Sequence, residues 1–218
     1  FKCVLSPRLI VIPSFSKLII YSLFICILSL NETEYLSGLA EVIKTSMLYA
    51  PKLFQILKTE HEKIKAKDKE QLYQIVKRCV LAKSSIVEKD ISETGLRKQL
   101  NLGHTFGHAL ESVAGFGKIS HGQAVAWGIS RAIELSCKLG LCEEDYKTDV
   151  FELLNIYGYS TENLPKIIAE KDNVQENLIK AMKQDKKNDS NGITFVLQRE
   201  MNLTLIETVA EKDILAVL

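Results

Sequence analysis

Gly103-His104-Thr105-Phe106-Gly107-His108 and, shortly after it, His121-Gly122-Gln123-Ala124-Val125 hold three of the four histidines in this chain. His104 and His108 are spaced i, i+4, which on a helix stacks them one turn apart on one face. His121 opens a second helical pattern just past a glycine turn, Gly115-Phe116-Gly117. A helix bearing imidazoles, a tight turn and an imidazole at the next helix start can converge on one divalent cation or form a polar catalytic pocket. A metal would need at least one carboxylate from elsewhere in the chain. Gly103 and Gly107 fit such a use, because each costs a helix roughly 0.5–1 kcal/mol relative to Ala. Their missing side chains predict close approach of a ligand or of another backbone.

The elements that must position these groups are mostly helical. Leu36, Leu39, Ala40, Ile43 and Met47 form one apolar stripe over 35–48, with Glu41 and Lys44 close to its edge. Pro51 starts a helix over about 52–60, since Pro is tolerated in a first turn. A long amphipathic helix follows over about 68–88, carrying Leu72, Ile75, Val76, Cys79, Val80 and Ile86. The His104 and His121 helices come next, the latter ended by Gly140. Further helical stretches are predicted at 144–156, 163–170 and 174–184, then a charged turn over 185–192. Ile193 to Gln198 and Leu203 to Ile206 alternate like the strands of a hairpin, and a closing helix is expected over 210–217. The fold class is therefore mainly α with a small β-hairpin.

Length and composition bound the rest. The 218 residues, 46% of them hydrophobic, suffice for one large domain or two small ones, and a net charge of +1 makes no case for a nucleic-acid partner. Five cysteines without CxxC spacing point away from a disulfide framework and toward a reducing cytoplasm, with Cys137 and Cys142 as separate thiols. Residues 1–30 form an apolar leader, read as one buried strand over 17–21 and a connection. Its uncharged, largely apolar run, Leu18 to Leu30, falls short of the roughly 20 residues that span a bilayer, so no membrane anchor is expected. The chain begins with Phe, which reads as a fragment or a truncated product.

Three segments belong together: Ser37-Gly38-Leu39-Ala40-Glu41-Val42-Ile43-Lys44, Leu100-Asn101-Leu102-Gly103-His104-Thr105-Phe106-Gly107-His108-Ala109 and His121-Gly122-Gln123-Ala124-Val125-Ala126. In order and spacing, with Asp185-Lys186-Lys187 as a fourth, they resemble the 3-dehydroquinate synthases over about 31–218, that family's helical C-terminal domain. The resemblance implies a zinc ion (or cobalt in its place) held by Glu41, His104 and His121. It implies active-site roles for Lys44, Arg97, Asn101 and His108, and weaker substrate contacts from Lys83, Asp90, Glu93 and Lys186. It further implies a phosphorylated sugar-acid substrate, a homodimer and NAD, the last bound by an N-terminal α/β half whose Gly-rich loop is missing from residues 1–30. The implied reaction turns 3-deoxy-D-arabino-heptulosonate 7-phosphate into 3-dehydroquinate and phosphate in the shikimate pathway. Another sugar-phosphate cyclase, or an inactive zinc-binding remnant, are the competing readings.

Overall fold

A computed structural model describes residues 27–90, 95–115, 117–185 and 192–218. The expected strand over 17–21, Glu93 and Lys186 lie outside the described residues. Helices run over Glu32–Tyr49 (α1), Pro51–Thr59 (α2), His61–Lys65 (α3), Lys69–Lys89 (α4), His104–Ala114 (α5), His121–Lys138 (α6), Glu144–Ile156 (α7), Lys166–Ala169 (α8), Val174–Asp185 (α9) and Glu211–Leu215 (α10). A 3-10 helix, Leu96–Asn101, leads into α5, and strands Ile193–Glu200 (β1) and Leu203–Val209 (β2) form an antiparallel hairpin. Among the described residues, no helix is long and apolar enough to cross a membrane.

α6 is the axis of the fold. It is buried nearly all round, from Gly122 through Ser136, because α1, α5, α7 and β1 pack against its different faces. α5 runs antiparallel to it at unusually short range. A Cβ on Gly107 would stand 3.0 Å from the Ala124 carbonyl oxygen, and one on Gly128 would overlap the Gly103 carbonyl. The glycines thus make room for a second backbone rather than for a ligand. Gly103 also has φ 79°, the left-handed turn that swings the chain from the 3-10 helix into α5.

Several elements differ from their predicted form. Of the stretch expected at 163–170 only one turn, Lys166–Ala169, is helical, because Pro165 takes an extended conformation and sets its start. The strands run on to Glu200 and Val209, where the backbone ladder continues past the alternating side chains, around a two-residue turn. The closing helix covers only Glu211–Leu215. Cys137 and Cys142, expected as separate thiols, are joined in a disulfide. The reason lies in the end of α6. Gly140 at φ 69° lets Leu141 N–H donate to Ser136 O (2.8 Å) and Gly140 N–H to Cys137 O (2.9 Å). This Schellman turn folds the chain back and brings the two Cα atoms to 4.6 Å. Cysteine usage therefore no longer argues for a reducing compartment.

Arg131 fastens the chain end to α6. Its guanidinium is fully buried and donates to Thr161 O (2.6 Å), Asn163 Oδ1 (2.8 Å) and Val217 O (2.8 Å). Burial pushes it down to about 10, partly offset by the charge of Glu134. Arg131→Ala strands the buried Val217 carbonyl and the partly buried Thr161 carbonyl and empties a large buried volume, so it is expected to cost about 3–5 kcal/mol. A melting temperature lowered by roughly 6–20 °C in thermal denaturation checks this.

Candidate metal centre

Glu41 reaches the site because α1 turns it toward the start of α6. Asn31 caps α1, accepting from Glu34 N–H at 2.9 Å. One turn before Glu41, Ser37 accepts from Gly122 N–H at 2.9 Å through its Oγ. A Cβ on Gly122 would collide with the Ser37 backbone, so glycine is what lets the two helices meet here. Ser120 caps α6 in a reciprocal box with Gln123, which fixes the first helical residue, His121. His104 opens α5 directly after the Gly103 turn, its Nδ1 3.2 Å from Leu102 O.

These three side chains converge. One ligand atom each from Glu41, His104 and His121 all lie within 4.8 Å of one another. His104 Nε2 stands 3.8 Å and His121 Nε2 4.0 Å from Glu41 Oε1. Lys44 Nζ contacts Glu41 Oε2 at 2.9 Å and lies 3.4 Å from His104 Nε2. Two of the three ligand atoms thus already face a cation. The donor set, one carboxylate and two imidazoles, is one that zinc accepts, and three protein ligands leave a position open for substrate or water. The residues fit a catalytic divalent metal.

Burial acts to raise the Glu41 carboxyl, but the charge and hydrogen bond of Lys44, helped by Lys83 and His104, outweigh it and hold it below its ordinary value. Burial also lowers the Lys44 ammonium, which Glu41 only partly restores. His104 is pushed down to about 4 by burial, with the Lys44 charge adding to it. Its imidazole is therefore neutral at pH 7, as a metal ligand must be. An unfolded His104 titrates near 6.5, so the unfolded chain binds the extra proton first. The chelator-treated chain should lose stability as pH falls from about 6.5 to about 4, and His104→Gln should flatten that dependence in thermal melts.

The other expected site residues are placed as follows. Lys44, expected at the edge of the apolar stripe, is buried. Lys83, half-exposed on α4, holds its Nζ 3.7 Å from Glu41 Oε2. His108 sits one turn along α5, its ring centroid 5.4 Å from that of His104 and 6.3 Å from that of His121. Asn101 ends the 3-10 helix, two residues before Gly103, and Arg97 lies on the same short helix. Asp90 is buried at the end of α4, and its Oδ2 accepts from the N–H groups of Gly95 and Arg97, both at 2.9 Å. That bond supports the turn carrying Arg97. Glu111 went unnoticed in the sequence. It lies 3.3 Å from His121 Nδ1, and the signal that could have found it is its i+7 spacing from His104 on the helix.

A family profile described as the C-terminal part of 3-dehydroquinate synthase matches residues 38–188. The chain is 37% identical over 191 residues to the 3-dehydroquinate synthase of Dictyoglomus turgidum, covering 87% of this chain and 52% of that protein. It is 38% identical over 194 residues to that of Dehalococcoides mccartyi strain CBDB1, covering 88% and 52%. The chain therefore spans about half the length of the curated relatives it matches. Among solved structures, it resembles 2-epi-5-epi-valiolone synthase from Streptomyces hygroscopicus, with NAD+ and Zn2+ bound, at a TM-score of 0.74 and 19% identity over 88% of this chain and 52% of that one. A 2-deoxy-scyllo-inosose synthase complexed with carbaglucose-6-phosphate, NAD+ and Co2+ gives 0.72 at 22% identity, over 87% and 53%. At these identities the likeness is one of fold.

Proposed function

The chain belongs to the 3-dehydroquinate synthase family through that family's C-terminal domain, and from this premise we propose that it is the metal- and substrate-binding half of such an enzyme. The reaction is the conversion of 3-deoxy-D-arabino-heptulosonate 7-phosphate to 3-dehydroquinate and phosphate, a carbon–oxygen lyase step toward chorismate and the aromatic amino acids. The observation that carries this reading is the convergence of Glu41, His104 and His121 within the matched segment. NAD is assigned to the other half of the enzyme. With a water-soluble phosphorylated substrate, the reading places the chain in the cytoplasm, and it includes a homodimer.

Glu41, His104 and His121 would hold zinc, or cobalt in its place, which supplies Lewis acidity toward substrate oxygens. Lys44 and Lys83 bring ammonium groups to the edge of the same cluster, and Arg97 and His108 add donors for a carboxylate and a phosphate. Asn101 would hold a substrate hydroxyl beside them. Asp90 keeps the Arg97 turn in place through its two backbone bonds. Orientation is the main task of these groups, since a phosphate leaving group can act as its own base once correctly placed.

Two measurements test the reading. Elemental analysis of the purified chain should give near one zinc per chain. Joined to an NAD-binding half of a relative, the chain should form 3-dehydroquinate from the phosphorylated C7 acid. Turnover of sedoheptulose 7-phosphate or glucose 6-phosphate instead would assign it to another cyclase class, and zinc binding without any turnover would favour the remnant.

A further inference from the structure

We infer that Glu111 is the positioning residue of the metal centre, its carboxylate fixing the tautomer and ring orientation of His121 so that Nε2 faces the cation. The inference rests on the metal reading above. His104, His108 and Glu111 follow one another at i, i+4 and i+7 along α5, so one face of that helix carries all three. Glu111 Oε1 lies 3.3 Å from His121 Nδ1, while the opposite ring nitrogen, Nε2, lies 4.0 Å from Glu41 Oε1. A neutral imidazole has one donor and one acceptor nitrogen. An acceptor at Nδ1 places the proton there and leaves the lone pair on Nε2, the ring nitrogen on the Glu41 side.

His104 reaches the same state by a different route. Its Nδ1 faces the Leu102 carbonyl at 3.2 Å and its Nε2 faces Glu41 at 3.8 Å. Backbone orients one ligand and a side chain orients the other. The difference matters because the His104 side chain is 17% exposed and that of His121 is 47% exposed. Packing already restrains the first ring, whereas the second depends on its carboxylate partner. Glu111 is not itself among the converging ligand atoms, which come from Glu41, His104 and His121. Its charge also makes the imidazole a better donor, and loss of such a partner weakens metal binding by roughly 10–100-fold in general.

The test uses the whole chain and zinc in competition with a chromophoric chelator. Glu111→Ala should bind zinc about 10–100-fold more weakly, and Glu111→Gln, which keeps an acceptor oxygen without the charge, should fall between it and wild type. In a His121→Ala background, Glu111→Ala should change nothing further. Nitrogen-15 spectra of the chelator-treated chain at about pH 9, where an ordinary imidazole is neutral, should show the His121 proton on Nδ1 in wild type. In Glu111→Ala it should shift to Nε2. Equal zinc affinity in wild type and Glu111→Ala, an equal loss in the His121→Ala background, or identical His121 spectra would overturn the assignment. A wild type that takes up no zinc would overturn the metal centre and this inference together, so the two failures are told apart.

Discussion

His104→Gln is expected to abolish stoichiometric zinc binding and, in an enzyme completed with its NAD-binding half, to lower kcat/KM by about 10³-fold or more. The magnitude follows from losing several kcal/mol of charge stabilisation at a metal, each 1.36 kcal/mol being tenfold in rate. Folding should barely suffer at neutral pH, because His104 stands there as a partly buried neutral ring whose polar contacts are the Leu102 carbonyl at 3.2 Å and the Lys44 ammonium at 3.4 Å. Glu41→Gln should lose the metal equally but behave differently in stability. Lys44, only 4% exposed, has Glu41 as its ion-pair partner at 2.9 Å. Removing Glu41's charge leaves the buried Lys44 ammonium uncompensated, at a cost on the order of 3 kcal/mol. Elemental analysis with thermal melts separates the two variants. A Glu41→Gln chain that retained wild-type stability would show that Lys44 finds another partner.

Gly122→Ala is expected to damage the same centre without touching a ligand. Alanine is the better helix former by about 0.8–1 kcal/mol, which alone predicts a stabilised α6. That gain loses to sterics, since the added methyl would collide with the Ser37 backbone, which cannot rotate away as a side chain could. Overpacking of this kind costs about 1–3 kcal/mol and pushes helices apart. Ser37 lies one turn before Glu41, and Gly122 follows His121, so the separation opens between two of the proposed metal ligands. Zinc affinity should fall by about 100-fold, as chelator competition would show, with helix content kept in circular dichroism. Gly128→Ala acts by the same mechanism at the α5 crossing, where the methyl would meet the Gly103 carbonyl that accepts the first bond of α5 from Gly107 N–H at 2.9 Å.

Local rules made most of the elements legible. Apolar periodicity placed α1, α4 and α7 to within a few residues, because each buries one stripe and solvates the other. Pro51 and Gly140 marked a helix start and a helix end through the backbone conformations they allow. The candidate ligands were also readable, but through two different routes. The His104 and His121 spacing suggested a cation from the residues themselves, whereas Glu41 required the motif around it, since one carboxylate on a helix resembles any other. The Cys137–Cys142 bond was not readable, because it depends on a Schellman turn that only forms where the end of α6 folds back.

The sequence by itself determined which residue types are available and which helices carry them, since both follow from composition and from periods of a few residues. The tertiary structure alone decided that Glu41 and His104, 63 positions apart, stand 3.8 Å from each other. It also decided that Lys44 is buried against them and that Glu111 stands behind His121. Those outcomes depend on how closely α1, α5 and α6 cross, and the crossing is set by missing methyl groups at Gly107, Gly122 and Gly128. A glycine in a helix is locally only a small penalty. What it permits appears when a second backbone fills the space, and no local pattern says which backbone that will be.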